Sequence, residues 1–465
     1  MYHDLCSQEG KVRRFISLIL GIVVMANIGE AKMYTTRSGI RFFLEEEHSL
    51  PLVQLRFLFL AGGYYDPKGK EGTAGLTART LVRGTKTMTY EEIMDKVDWL
   101  GASLDTGALG LYSFVGGDVL TRNLDNFVKI LADIVLNPTF PAGEVEKERA
   151  LMEGDILHRR DSDSALVKYF FHRFLYQGSI VGRPVGGTLE SLKRITLDDI
   201  KAFHKAHYTR KNLVVIAAGD ITKTQLEELL DKYFGKLPEG KDELFEAKDL
   251  PHHKGLKVLI VDKPNRTQTQ IRIGNICPGW HSEDPIGAFV ANTAFGGTFT
   301  SILTTEIRIK RGWSYGVGSF MDLFRERGTF AMGMFPKVQD TAPAIELSLK
   351  LLKEAVTKGI PEKELAKAKE HMVNHFPFEL ETSMKRASAQ ASIMLRGKPK
   401  DLLQTYSRRV QGVGIERAKK AFAQYADPDN GVIVVVGPAK ELKEALSKIP
   451  GVKDVQVIPY DKDLP

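Results

Sequence analysis

The feature that most constrains this chain is a repeat within its own sequence. Gln54-Leu55-Arg56-Phe57 returns as Gln270-Ile271-Arg272-Ile273, 216 residues later, and the apolar run NLVVIAAG at 212–219 returns as NGVIVVVG at 430–437, 218 residues later. Phe422 and Tyr425 precede the second run much as Phe203 and Tyr208 precede the first. Matches that keep one register over such a distance point to a duplicated domain, the alternative being chance likeness between two αβ halves. A chain of 465 residues also accommodates two domains of about 200 residues better than one.

Local patterns fill in each half. Residues 52–61 alternate as a strand, with Val53, Leu55, Phe57 and Phe59 on one face. Helical spacing occupies 72–82, 90–100, 124–135, 142–176, 197–207 and 223–234, around a strand-rich stretch at 103–119. Strands and helices come in blocks rather than in strict βαβ alternation, which predicts an α+β fold of two homologous domains, each a mainly antiparallel sheet packed with helices. The polar stretch at 237–255 carries Pro238 and Pro251 and reads as a linker. The expected division is a signal peptide at 1–31, a first domain at 32–237, a linker at 238–255 and a second domain at 256–465.

At the N-terminus, Lys11, Arg13 and Arg14 precede an apolar run at 15–26, and Gly29-Glu30-Ala31 offers small residues for cleavage. A membrane anchor is the competing reading, but the run is shorter than the roughly 20 residues a span needs. Export to a periplasm is therefore expected. Cleavage would leave Cys277 without Cys6, so no internal disulfide is expected, and Cys277 reads as a small buried side chain. The net charge of +7 comes from 65 basic and 58 acidic residues that are interspersed, without a basic run interleaved with aromatics. Nucleic acid is not an expected partner.

A second glycine-marked stretch lies at 295–318, FGGTFTSILTTEIRIKRGWSYGVG. Its apolar spacing predicts a short helix with Arg308 in the last turn, a left-handed stop at Gly312, and a strand beginning near Trp313 that carries Tyr315. A helix-to-strand corner can bring two side chains seven residues apart into one pocket. Both could equally be structural, Arg308 pairing with an acidic neighbour and Tyr315 packing in the sheet.

The stretch AGLTARTLVRGT at 74–85, GRPVGGT at 182–188, the strand NLVVIAAGD and the segment FGGTFTSILTTEIRIKRGWSY together resemble the pitrilysin/insulinase family of inverted-motif zinc peptidases, of the mitochondrial processing peptidase type. The resemblance covers nearly the whole mature protein and implies a half-clamshell of two domains. It also implies a first helix carrying HxxEH, two histidines for zinc and a glutamate to activate water. Here those five positions read Gly75-Leu76-Thr77-Ala78-Arg79. Glycine has no ligand, alanine takes no proton, and arginine sets a permanent cation where a dication would bind. The implied third ligand falls on Asp155, and an Arg79–Asp155 ion pair in the metal's place is expected.

Other histidines offer no better site. His371 and His375 are spaced i,i+4 on a predicted helix, but Met372 occupies the slot for a catalytic glutamate, while His204, His207, His252, His253 and His158 lack a convergent third ligand. No phosphate-binding loop of the GxxxxGK[ST] type is present in the sequence.

The resemblance further implies that a second-half Arg and Tyr, seven residues apart, reach across to a zinc centre and assist at the substrate carbonyl, and Arg308 and Tyr315 match that pair. The expectation is a non-catalytic subunit that holds no zinc, is inactive alone, and completes the site of a zinc-bearing homologous subunit acting on unfolded peptides. The alternative is a degenerate member that binds peptides or scaffolds a complex without a part in hydrolysis.

Overall fold

The computed structural model describes residues 32–242 and 245–464, so the expected signal peptide, with Cys6, lies outside the described residues. The repeat in sequence is a repeat of sheet register. Gln54 stands opposite Ala218 and Leu55 opposite Ala217, as Gln270 stands opposite Val436 and Ile271 opposite Val435.

The first sheet contains β1 (Tyr34–Thr35), β2 (Arg41–Glu46), β3 (Leu52–Phe59), β4 (Asp105–Ala108), β5 (Ser113–Leu120) and β6 (Leu213–Gly219), in the order β1-β2-β6-β3-β5-β4. The second contains β7 (Leu256–Asp262), β8 (Gln270–Pro278), β9 (Val317–Leu323), β10 (Arg327–Met334), β11 (Gly431–Gly437) and β12 (Val452–Pro459), in the order β12-β7-β11-β8-β10-β9. Parallel pairing is confined to β2–β6 in the first sheet and to β7–β11 and β7–β12 in the second, so the sheets are mixed but mainly antiparallel. The α+β expectation holds.

The helical pattern at 142–176 is two helices rather than one. Ala142–Asp161 and Asp163–Leu175 meet at Ser162, an extended residue whose hydroxyl accepts from the Ala165 amide and caps the second helix. With the family-motif helix Thr73–Thr80 as α1, we label these two α2 and α3, and the later helix Ser383–Arg396 is α4.

The tertiary structure adds an exchange that the linear division into two domains does not contain. One face of the first sheet packs on helices of its own half, including α1, Leu124–Leu136 and Lys223–Phe234, and the other face receives α4 from the second half through Ala387 and Ala391. Reciprocally, α3 of the first half lies on the second sheet, setting Leu166, Val167, Phe170, Phe171 and Phe174 against Val432, Val434 and Val436. Each such buried side chain is worth roughly 2 kcal/mol, so the two halves are held by far more than the linker. Because both faces are covered, every residue of β6 and β11 is buried, which is why those strands read as continuous apolar runs rather than as alternation. The linker itself packs, with Phe245 against Tyr64 and Tyr65 and His253 bonded to the Leu175 carbonyl.

Candidate functional site

In the first half the site begins at the N-terminus of α1. Gly72 adopts φ +100°, a left-handed conformation that suits glycine, and Asp66 accepts hydrogen bonds from the Gly72 and Ala74 amides at 2.6 and 2.7 Å. Burial pushes the Asp66 carboxyl up to about 7, against the two amides that favour its ionised form. This buried clamp fixes α1, and with it Gly75, Ala78 and Arg79.

Arg79 leaves the last turn of α1 and its Nη2 lies 2.6 Å from Asp155 Oδ2 on α2. Glu148, seven residues earlier on the same face of α2, is buried; it pairs with Arg83 and lies 3.9 Å from Arg79. Arg83 also stacks on Tyr90 at 4.1 Å. The structure thus brings Arg79 and Asp155 together, in a four-membered cluster of two guanidiniums and two carboxylates. Glu148 and Arg83 were not singled out in the sequence. Their signal was spacing, since Arg79 and Arg83 are i,i+4 while Glu148 and Asp155 are two turns apart.

These residues do not fit a zinc ion. A Cβ added at Gly75 would meet Met152 Cε at 3.2 Å, so a histidine there requires the end of Met152 to give by a few tenths of an ångström. Ala78 is buried, its carbonyl accepting from Thr106, and Arg79 already holds the carboxylate that would ligate. Among the described residues no group of three or more His, Cys, Asp or Glu is placed to hold a metal.

Several of the remaining histidines are engaged elsewhere. His371 and His375 stack ring on ring at 5.6 Å, and His375 pairs with Glu379 at 3.0 Å. His204 bonds the Val135 carbonyl, and burial lowers its pKa. His158 lies 3.7 Å from Asp161. Cys277 is buried, and burial pushes its thiol well up.

In the second half the segment Thr304–Ile309 forms a widened π turn, with the Lys310 amide donating to the Thr305 carbonyl five residues back. Gly312 then ends it at φ +65°, as expected. The expected strand from Trp313 does not follow. Residues 313–316 form a loop and β9 begins at Val317, so Tyr315 lies in the loop before the strand. The cause is Ser314, which is buried, donates to the Gly316 carbonyl at 2.7 Å and accepts from the Phe335 amide at 3.0 Å. These side-chain bonds, one local and one to the segment after β10, stand in place of ladder bonds, and Tyr315 faces outward.

The result is a sandwich. The Arg308 guanidinium lies 4.4 Å from the Tyr315 ring centroid and 4.1 Å from that of Phe299. Tyr315 is 78% exposed and Phe299 61%. The nearby carboxylate of Glu306 is taken by Lys310 and Arg311, and among the described residues Arg308 has no carboxylate partner. The two structural alternatives for this pair, an acidic neighbour for Arg308 and sheet packing for Tyr315, are both absent among the described residues. Phe299 was not singled out in the sequence; its place beside Gly296-Gly297 was the available cue.

Comparison with known proteins gives the family. The family model described as insulinase (peptidase family M16) matches residues 41–189, and that described as peptidase M16 inactive domain matches residues 194–372. The chain belongs to peptidase family M16. Both Arg308 and Tyr315 fall in the M16 inactive-domain match. Relatives include a protein named non-peptidase homolog YmxG from Helicobacter pylori, 24% identical over 92% of this chain and 99% of that protein. The mitochondrial-processing peptidase subunit beta of Homo sapiens is 23% identical over 90% and 87%. Among solved structures, a peptidase M16 inactive domain from Pseudomonas fluorescens superposes with a TM-score of 0.81 at 24% identity, covering 88% of this chain and 97% of that one. A protein of complex III2 from Candida albicans gives 0.74 at 18%, covering 91% and 100%. At these identities the structures speak for the M16 fold alone. No helix among the described residues is long and apolar enough to cross a membrane.

Proposed function

We propose that this protein is the zinc-free, non-catalytic subunit of a heteromeric metallopeptidase, pairing with a metal-bearing M16 homologue and lending it Arg308 and Tyr315. The observation that carries the reading is the exposed Phe299–Arg308–Tyr315 sandwich, a cation held by two rings with no carboxylate partner among the described residues. Stacking fixes the guanidinium plane without using its donors, so they remain free for substrate carbonyls. The Tyr315 phenol projects from a loop anchored by Ser314, and this supports a role as donor to an oxyanion developing in the partner's site. Unfolded peptide is the substrate class, because an enclosed site between two such subunits excludes folded proteins. The expected signal at 1–31 supports export to a periplasm, which fractionation of cells expressing the full-length protein will check.

The test uses the two subunits. The isolated protein should carry no stoichiometric zinc and cleave no peptide, while Tyr315→Phe in the reconstituted pair should lower kcat about 100-fold with KM less affected. Stoichiometric zinc in the isolated protein overturns the proposal. A second reading, a peptide-binding or scaffolding protein outside hydrolysis, draws on the name of the Helicobacter pylori relative; an unchanged kcat in the Tyr315 variant would select it.

A further inference from the structure

The second half contains another guanidinium without a carboxylate partner among the described residues, and its counterpart in the first half shows what is missing. Arg56 on β3 and Arg272 on β8 occupy equivalent places in the repeat, opposite Gly116 and Gly333 respectively. Arg56 is satisfied internally, its Nη1 lying 3.0 Å from Asp118 Oδ1 and 2.9 Å from the Leu55 carbonyl. Register then locates the loss. Gly117 pairs with Leu55 as Met334 pairs with Ile271, so the residue after Met334, Phe335, takes the place of Asp118. The carboxylate has become a phenyl ring.

Nothing else among the described residues replaces it. Arg272 has no hydrogen-bond or ion-pair partner among them. It rests on the Phe320 ring at 4.6 Å and against Gly333, where an added Cβ would come within 3.0 Å of Nη1. Burial alone lowers its pKa, with no compensating carboxylate nearby. An unpaired, partly desolvated cation is costly unless a ligand supplies the counter-charge.

The space for that ligand exists. A cleft of about 460 Å³ opens between α3 of the first half and the β8–β10–β9 edge of the second sheet, with Arg272 and Lys168 as its cations and Phe320 and Phe335 as its apolar wall. Lys168 is likewise without a carboxylate partner among the described residues. The cleft takes in Gly316, next to Tyr315, so a peptide held there passes beside the sandwich.

We infer that this cleft is a binding site for a peptide carboxylate, with Arg272 as the principal cation, Lys168 as the secondary one and the apolar wall receiving the flanking side chains. The carboxylate comes either from an acidic side chain or from the C-terminus of the peptide. The site needs no partner subunit, so its success or failure is separate from that of catalysis in trans.

The experiment measures fluorescence anisotropy on the isolated full-length protein with three dye-labelled pentapeptides. One has a glutamate between leucines and an amidated end, the second has glutamine in its place, and the third is the glutamine peptide with a free C-terminal carboxylate. At least one carboxylate peptide should bind about tenfold tighter than the neutral one, and which does so identifies the source. Arg272→Met should abolish the difference. Phe335→Asp, which rebuilds the Asp118 arrangement of the first half, should abolish it too while leaving the cation in place. Equal binding of all three peptides by the wild-type protein overturns the inference, as does a preference that survives in folded Arg272→Met or Phe335→Asp protein.

Discussion

Each half builds its own six-stranded sheet on the same register, and the two differ in what they do with particular arginines. In the first half Arg56, Arg79 and Arg83 are each matched to a carboxylate, Asp118, Asp155 and Glu148 in turn. In the second, Arg272 and Arg308 rest on aromatic rings and have no carboxylate partner among the described residues. The difference teaches how a duplicated fold divides its roles. A guanidinium paired with a carboxylate has donors engaged, whereas Arg272 and Arg308, stacked on rings and without such a partner among the described residues, keep theirs open.

The comparison breaks most easily at its buried pair. Glu148→Ala leaves Arg83 without its counter-charge beneath α1, and a loss of about 3 kcal/mol in denaturant unfolding is expected; a loss below about 1 kcal/mol would mean the cluster is not a structural replacement. Next in size is Tyr315→Phe, whose expected 100-fold fall in kcat of the reconstituted pair corresponds to about 3 kcal/mol of transition-state stabilisation, with no matching loss of stability.

Two capping aspartates extend the contrast to pH. Asp66 caps α1, and its carboxyl is pushed by burial up to about 7. Asp284 caps Pro285–Asn292 through the Gly287 amide at 2.9 Å; burial raises its pKa too, but Arg417 and that amide outweigh it and hold the carboxyl below its ordinary value. Between the ordinary aspartate value of 3.8 and about 7, folded Asp66 binds more protons than unfolded Asp66, so stability from this group falls as pH rises through that window. Asp284 contributes stability above 3.8 that is lost as pH falls through its depressed folded value. Unfolding measured from about pH 4 to 8 should therefore show a downward slope that Asp66→Asn removes, and unfolding below about pH 4 an acid loss that Asp284→Asn reduces. The smallest effect is expected at the exposed pair: Asp155→Ala should cost under about 1 kcal/mol and less in high salt.

Much of the fold was legible because burial on both faces writes a continuous apolar run, and the protein does this twice, at β6 and β11. The absence of zinc ligands at Gly75, Ala78 and Arg79 was legible too, since side-chain chemistry alone excludes them. Tyr315 reads as a strand residue because Trp313, Tyr315 and Val317 alternate; what alternation does not reveal is that Ser314 bonds locally and takes the segment out of the ladder. The break at Ser162 was hidden for a similar reason, one capping hydroxyl inside a long helical pattern.

By itself, the sequence determined that there are two copies of one α+β unit, and that Gly75, Ala78 and Arg79 stand at the family-motif positions of the first, because strand burial and ligand identity are properties of residue type. Only the tertiary structure decided that the copies exchange α3 and α4, that Glu148 and Arg83 join the Arg79–Asp155 pair, and that Arg272 and Arg308 stand without a counter-ion among the described residues. Whether a charge is compensated depends on which residues meet across long separations in sequence, and that is settled by packing.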